Sequence, residues 1–428
     1  MPWPLTKLGF SLQVQRNLAF NLVTTGLEKG LKFVVLIVAT RALGKEGWGQ
    51  YAWAHTLTIL LAQLTDFGLG TYMTREVARR GRQAGPLYAS ALGLKLVLSA
   101  LYLTGLCGAA LLFMPDGLYR LLLLCLALSN LSQTFVELFN HVFRGFERLE
   151  FETLLYGTYA CLTLGGGVLV LVCGGGLLRF ALTLAFFSVV VSACGGLFVS
   201  WKFYRVAPML NARLWLELIK NIGPIGGAAA LSIAYFRIGI LVMGAFLDDR
   251  AIGVYSAATR ILDMVQVLPA ILMAAVFPVV SRRDRGARVQ WSGIGLLAVA
   301  GVAVGSFCFF CPGPIVRAIC GGDFLDAAPA LRVLGLAVPL VMVNFALTHF
   351  LIARDLQKKY LAFCFLLFAI NVELNTVLIP RLGITGSAWA TLSTELALSA
   401  LCIVALWGNR RSVCPTPRAS DELMPALS

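Results

Sequence analysis

Charged side chains stand inside long apolar runs of this chain, where hydrocarbon makes them costly. The bases are Lys29, Lys32, Lys95, Arg237 and Arg260, and the acids are Glu28, Asp66, Glu137, Asp263, Glu373 and Glu395. A charge at the centre of a bilayer costs about 2.5–3.5 kcal/mol on insertion scales, so such residues mark substrate or ion pathways unless they pair or reach the interface. Glu28 and Lys32 are four apart with the acid first, the favoured order for a helical ion pair. Lys29 then lies about 100° further round the helix with no local partner. Arg260 and Asp263 are three apart and able to neutralise each other. Lys29, Lys32 and Arg237 lie too deep to snorkel and are assigned a functional role, whereas Lys95 and Glu137, near span ends, are expected to hold helices together. Asp66 is placed to cap a helix or to pair with Arg75. His55, His141 and His349 are expected as interfacial polar residues.

The elements that must position these groups are membrane helices. The chain has 428 residues, 59% hydrophobic and 13% charged, with mean hydropathy +0.82. A soluble domain carries about 25% charged residues. A spanning helix needs about 20 mostly apolar residues. About twelve such stretches are predicted: 18–40, 51–73, 88–113, 118–141, 152–173, 178–200, 221–246, 253–278, 291–313, 329–353, 360–380 and 385–407. The reading is all-α: a polytopic membrane protein of two six-helix lobes. Residues 1–200 form the N-lobe, 201–220 a cytoplasmic linker, 221–407 the C-lobe and 408–428 a disordered cytoplasmic tail.

The net charge of +14 would suggest nucleic acid, but its distribution argues otherwise. With the N-terminus in the cytoplasm, inner segments hold 22 Lys and Arg residues, from Lys7 and Arg16 to Arg411 and Arg418, against 8 at the outer ends. That bias sets orientation, with both termini cytoplasmic and contact with anionic lipid a secondary role. No secretory signal is expected before the first span, which is expected to act as its own insertion signal. Of the 11 cysteines most sit within spans. Cys308 and Cys311 are read as small apolar residues on a helix, and a disulfide among Cys308, Cys311 and Cys320 stays open. No phosphate-cradling loop, metal-ligand spacing or large catalytic loop is present. The chain is therefore expected to have no catalytic residues, no metal and no cofactor, and not to be an enzyme.

A faint repeat occurs at an offset of 204 residues. Asn17-Leu18 matches Asn221-Ile222, and Gly49-Gln-Tyr-Ala52 matches Gly253-Val-Tyr-Ser256. Arg237 corresponds to position 33, beside Lys32. The run Gly174-Gly-Gly176 more loosely echoes Gly383–Gly386. Six helices per half predict two halves of the same orientation about an axis along the membrane normal, as in alternating-access transporters.

Several motifs resemble those of oligosaccharide flippases of the multidrug/oligosaccharidyl-lipid/polysaccharide exporter superfamily, in particular the O-antigen (Wzx-type) branch. Arg41-Ala-Leu-Gly-Lys-Glu-Gly-Trp-Gly-Gln-Tyr51 resembles its RxLGxxxxGxY signature, and Phe143-Arg-Gly-Phe-Glu-Arg148 its FRGxER loop. Asp66-Phe-Gly-Leu-Gly70 with Arg75-Glu76 resembles the ending of its second span, and Gly253-Val-Tyr-Ser-Ala-Ala-Thr-Arg260 with Leu268-Pro269 resembles its eighth span. Asn371-Val-Glu-Leu-Asn375, Ile379-Pro380 and Gly383–Thr391 resemble its last two. One departure is Tyr235-Phe-Arg-Ile-Gly239, where many relatives carry an acid at the last position.

The resemblance implies transfer of a polyprenyl-pyrophosphate-linked oligosaccharide across the bacterial inner membrane by alternating access, for cell-surface polysaccharide synthesis. It implies Lys29, Lys32, Arg237 and Arg260 as substrate-binding residues. Glu28, Asp66, Asp263, Glu373 and Glu395 become candidates for ion coupling, with Na+, H+ and the membrane potential all open as the energy source. Expected partners are the lipid-linked oligosaccharide, membrane lipids, a polysaccharide polymerase and glycosyltransferases. A multidrug or cation exporter and a lipid II flippase of the same superfamily are the alternatives.

Overall fold

The structure is a computed structural model and describes residues 12–114, 116–265, 268–269, 286–354 and 356–408. Lys7, Arg282, Arg283, Arg285, Arg410, Arg411 and Arg418, most of the eighth expected span beyond Val265, and the C-terminal tail lie outside the described residues. Among the described residues there is no strand. The helices are α1 (Leu12–Asp66), α2 (Leu69–Arg80), α3 (Gly85–Phe113), α4 (Gly117–Gly145), α5 (Leu149–Tyr159), α6 (Gly166–Val172) and α7 (Leu177–Lys202). They continue as α8 (Ala212–Met243), α9 (Asp249–Val265), α10 (Gly286–Phe310), α11 (Pro312–Cys320), α12 (Ala328–Ala353), α13 (Gln357–Leu382) and α14 (Ile384–Gly408). Nine segments of the described residues are long and apolar enough to cross a membrane, and the first, Val23–Phe113, contains three expected spans. The protein is a multi-pass membrane protein. Its surface is apolar, with Leu112, Phe113, Leu169, Val299 and Val404 exposed, while Lys95 and Glu395 are buried.

Helix ends differ from the expected ones for local reasons. α1 runs through the first two spans, broken by Gly44 at φ 68°, ψ −174°, a conformation in which a Cβ is strained. The second span was expected to reach residue 73, but its helix stops at Asp66 because Phe67 and Gly68 both take positive φ. α2 then restarts as an amphipathic helix with Leu69, Met73 and Val77 buried. The fifth span is interrupted by a π-helical turn over Ala160–Gly165, a feature that recurs at functional sites. α8 begins at Ala212 rather than 221, because the Asn211 side chain accepts from the backbone N–H of Arg213 at 3.1 Å and of Leu214 at 3.2 Å. The expected linker thus shrinks to an extended strap over 203–211. It is pinned along α3 by Met209 N donating to Ala89 O (2.9 Å), and the start of α8 by Trp215 Nε1 donating to Ser90 O (3.0 Å).

In the first half α4 packs on α1, α2, α5 and α7. In the second half α12 packs on α10 and α14, and α13 on α8 and α14. The halves meet where α1 packs on α8 and α9. An ideal Cβ on Gly49 would stand 1.7 Å from Asp249 O and 2.9 Å from Gly253 N; one on Gly253 would stand 2.0 Å from Lys45 O and 3.1 Å from Gly49 N. Lys45 and Asp249, like Gly49 and Gly253, are 204 residues apart. The contact is its own image when the halves are exchanged, as a two-fold axis through this point produces. Glycine allows the two backbones to touch, which is how membrane helices gain packing energy without a hydrophobic driving force. The same end is tied by Lys45 Nζ to Asp326 Oδ2 (2.5 Å), Arg41 Nη2 to Ala318 O (2.7 Å) and Gln50 Nε2 to Asp249 Oδ2 (3.2 Å).

Candidate functional site

Between the halves lies a cavity of about 240 Å3. Both arms of α1 line it, together with α4, α5 and its π turn, α8 and α9. It gathers all four expected cationic residues, Lys29, Lys32, Arg237 and Arg260, with the acids Glu28 and Asp263. Lys32 Nζ meets Glu28 Oε1 at 2.5 Å, the expected i,i+4 pair. Asp263 was expected to neutralise Arg260. It does so only loosely, Arg260 Nη1 standing 3.7 Å from Oδ2, while Arg237 Nη2 holds the same oxygen at 2.8 Å. One carboxylate therefore serves two guanidiniums, because packing of α8 against α9 brings Arg237 over it. Lys29 has no ion-pair partner among the described residues. Four bases against two acids leave a net positive cavity. At an effective dielectric near 20, each unit-charge pair about 4 Å apart is worth about 4 kcal/mol, so the excess strongly favours a bound anion.

The rest of the wall is aromatic and polar. Tyr51 stacks on His55 with centroids 5.3 Å apart and rings 6° from parallel, and Trp48 lies 5.2 Å from Tyr51. Tyr156 and Tyr159 face them from α5, and Asn130 and Gln133 from α4. Asn130 Nδ2 donates to Thr58 Oγ1 at 2.8 Å, and Tyr159 Oη to Gln133 Oε1 at 3.4 Å. Among the described residues, the buried Trp48 Nε1 and Thr163 Oγ1 have no hydrogen-bond partner. Both residues line the cavity. Leaving such groups unmade costs about 1–3 kcal/mol each.

The other candidate acids separate. Asp66 pairs not with Arg75 but with Lys95, whose Nζ lies 3.0 Å from its Oδ1. Lys95 is fully buried, with its ammonium 5.3 Å from the Phe135 ring centroid. Arg75 turns instead to Glu76 at 3.5 Å, which Arg80 also meets at 2.9 Å. Glu395 is buried, accepting from Tyr235 Oη at 3.2 Å and Asn344 Nδ2 at 2.8 Å. It lines a second cavity of about 340 Å3 that shares Arg237 and Asp263 with the first. Glu373 is exposed on α13 and joins neither cavity. The reason is helical phase: Asn371 and Asn375, four apart, are both buried, and Glu373 falls midway between them on the opposite face. At Gly239, where many relatives were expected to carry an acid, a Cβ would meet Ser387 Oγ at 2.4 Å and Asn375 Oδ1 at 3.0 Å. Polar side chains from α13 and α14 occupy that space, and a carboxylate does not fit.

His55 lines the cavity. The readable signal for the polar wall was Asn130 and Gln133 at i and i+3 on α4, with Tyr156 and Tyr159 at i and i+3 on α5. Nothing local announced the π turn. Among the described residues all ten cysteines are free, Cys308, Cys311 and Cys320 included. No group of three or more His, Cys, Asp or Glu residues suited to a metal ion occurs among the described residues.

Residues 14–283 match the family described as polysaccharide biosynthesis protein. A relative described as probable flippase AglR, from Haloferax volcanii, is 26% identical over 265 residues, covering 58% of this chain and 49% of that protein. The chain thus spans about half the length of that relative. Among solved structures, the lipid II flippase MurJ in an inward closed conformation superposes with TM-score 0.76 at 12% identity, over 91% of this chain and 87% of that one. The MATE multidrug transporter DinF-BH superposes with TM-score 0.70 at 18% identity, over 93% of this chain and 95% of that one. A transporter of the MOP superfamily from Pyrococcus furiosus, described as having a binding pocket of reverse polarity, gives TM-score 0.54 at 14% identity, over 93% and 95%. At these identities the likeness is one of fold.

Proposed function

The chain belongs to the polysaccharide biosynthesis protein family, and from that premise we propose that it is a flippase. Its cargo is a polyprenyl-pyrophosphate-linked oligosaccharide, moved from the inner to the outer leaflet of a bacterial inner membrane. The single observation that carries this reading is the convergence of Lys29, Lys32, Arg237 and Arg260 on one cavity between the halves. A pyrophosphate carries at least two negative charges, and its dehydration needs fixed cations where water is scarce. Lys29 is free to bind it directly, and Lys32 does so by exchanging its Glu28 partner for phosphate. Trp48, Tyr51, Tyr156 and Tyr159 offer rings to a sugar, and Asn130, Gln133 and Thr163 offer hydrogen bonds. The prenyl tail stays among lipids, as the apolar surface allows.

The contact between halves supports alternating access. The bias of Lys and Arg toward alternate gaps supports a topology with both termini in the cytoplasm and the Gly49–Gly253 contact at the outer end. With that end closed, the cavity is served from the cytoplasmic side. Outward release requires the Lys45–Asp326, Arg41–Ala318 and Gln50–Asp249 ties to part while the halves rock. A cation exporter calls for a predominantly acidic site, which the charge excess here disfavours. A lipid II cargo shares the pyrophosphate and prenyl chemistry and differs in its sugar. Glycosyltransferases that build the oligosaccharide and a polymerase that consumes it are the partners this role requires.

The test is complementation of a flippase-deficient strain by Lys29→Gln and Arg237→Gln, with membrane insertion checked separately. Removing one partner of a buried charged contact costs about 2–5 kcal/mol, so both variants should insert and fail to transport. Complementation by both at wild-type level would refute the role. Mass analysis of lipid trapped on the purified protein identifies the sugar.

A further inference from the structure

A groove of about 300 Å3 runs along the surface of the first half between α5 and α7. Leu154, Leu155 and Leu162, the last in the π turn, form one wall, and Val190, Val191 and Phe198 form the other. Leu154 and Val190 are exposed, so the groove opens to the bilayer and not into the protein. Gly195 keeps its floor low, for an ideal Cβ there would stand 3.0 Å from Leu155 Cδ1 and 3.1 Å from Phe139 Cδ2. From Phe151 to Leu162 a helix rises about 16 Å, about half the thickness of a hydrocarbon core. The groove thus has the length of an acyl chain in one leaflet. One end of it is aromatic and cationic. Lys202 Nζ lies 4.3 Å from the Phe151 ring centroid and 5.6 Å from that of Phe198, and both rings line the groove. Lys202 is exposed and has no ion-pair partner among the described residues. Arg148, 4.9 Å from the Phe151 ring centroid, is engaged by Glu150. Trp201 is exposed beside Phe198, as rings at a membrane–water interface are.

We propose that this groove is a binding site for one anionic phospholipid, with an acyl chain laid between α5 and α7 and the phosphate on Lys202. The apolar walls exclude any polar occupant, and an unfilled groove forfeits the dispersion contacts of its lining. The ammonium, held at the mouth by two rings and free of a carboxylate, supplies the charge complement to the head. The cargo's prenyl tail fits less well. Its pyrophosphate goes to the central cavity, which Tyr156 and Tyr159 line from the other side of α5, whereas the groove carries a head-level cation of its own. Because α5 separates the two, a lipid in the groove braces one wall of the cargo site. The orientation proposed above makes the leaflet the inner one; the site itself depends neither on that orientation nor on the cargo.

The experiment titrates the full-length protein in detergent with phosphatidylglycerol or phosphatidylcholine of the same chains and counts the first lipid bound by native mass spectrometry. Phosphatidylglycerol should bind about fivefold more tightly, the contribution of one lysine at a membrane surface. Lys202→Gln should abolish that preference and Lys202→Arg should keep it. Thr158→Trp, at an exposed position in the groove, should fill it and weaken both lipids at least tenfold. Arg179→Gln, at the other end of α7, should change neither. If the tryptophan variant fails to fold, the three charge variants decide. Equal binding of the two lipids would overturn the proposal, as would a preference that survives Lys202→Gln, since the anion would then sit elsewhere, as in the central cavity. So would a lipid-free dimer that Thr158→Trp breaks, which would give the groove to a second copy. Preferential displacement of phosphatidylglycerol by a polyprenyl phosphate in a manner that Thr158→Trp removes would give it to the cargo's tail and equally overturn it.

Discussion

The Gly49–Gly253 contact turns the alternating-access reading into a measurable population shift. Consider Gly49→Ala. The new Cβ would stand 1.7 Å from Asp249 O and 2.7 Å from Asp249 C. Both neighbours are backbone and no flexible side chain can yield. Carbon and oxygen meet at about 3.3 Å, so α1 and α9 must separate by about 1.5 Å at this end. Overpacking of this kind costs about 1–3 kcal/mol in the closed arrangement, and nothing once the end has opened. The ratio of outer-open to outer-closed protein should therefore rise about 5–150-fold. The readout is a cysteine at Ser129, on the cavity wall, in a background without other reactive cysteines. It is labelled by an impermeant maleimide added outside intact spheroplasts. The parent should label slowly, and Gly49→Ala faster by the stated factor. Gly253→Ala should act alike, because its Cβ would meet Lys45 O at 2.0 Å. Unchanged labelling in both variants, with the protein inserted and folded, would refute the idea that this contact seals the cavity.

Other outcomes follow from the same geometry. Lys95→Met strands Asp66 in the interior and should destabilise the protein by about 3–5 kcal/mol, read as a loss of Tm; adding Asp66→Asn should recover part of it. A short bifunctional crosslink between Lys45→Cys and Asp326→Cys should stop transport without lowering cargo binding from the cytoplasmic side, with reversal when a cleavable linker is cut. Glu373→Gln should transport within about twofold of the parent, since Glu373 lines neither cavity; a complete loss would return Glu373 to the coupling pathway.

Much of this protein is written along one dimension. The span count, the apolar surface and the exceptional status of Lys29, Lys32, Arg237 and Arg260 all follow from the cost of placing a charge in hydrocarbon, which attaches to each residue singly. So does the Glu28–Lys32 pair, because a helix fixes which residues four apart are neighbours. Partner choice between helices was not legible. Asp66 lies nearer in sequence to Arg75 than to Lys95, yet it pairs with Lys95 because α3 presents that ammonium to the end of α1. Asp263 looked committed to Arg260 and is held more closely by Arg237. Glu373 sat in a promising motif, and helical phase turned it outward.

Burial energetics in the sequence therefore named the groups that had to be accounted for, and the periodic apolar runs named the helices that carry them. Which charge meets which, and whether Trp48, His55 and the tyrosines share one wall with the cations, depended on how the helices rotate and approach. That is settled by close contacts such as Gly49 on Gly253, between backbones 204 residues apart. Local composition has no means of encoding such a contact except by leaving out a side chain.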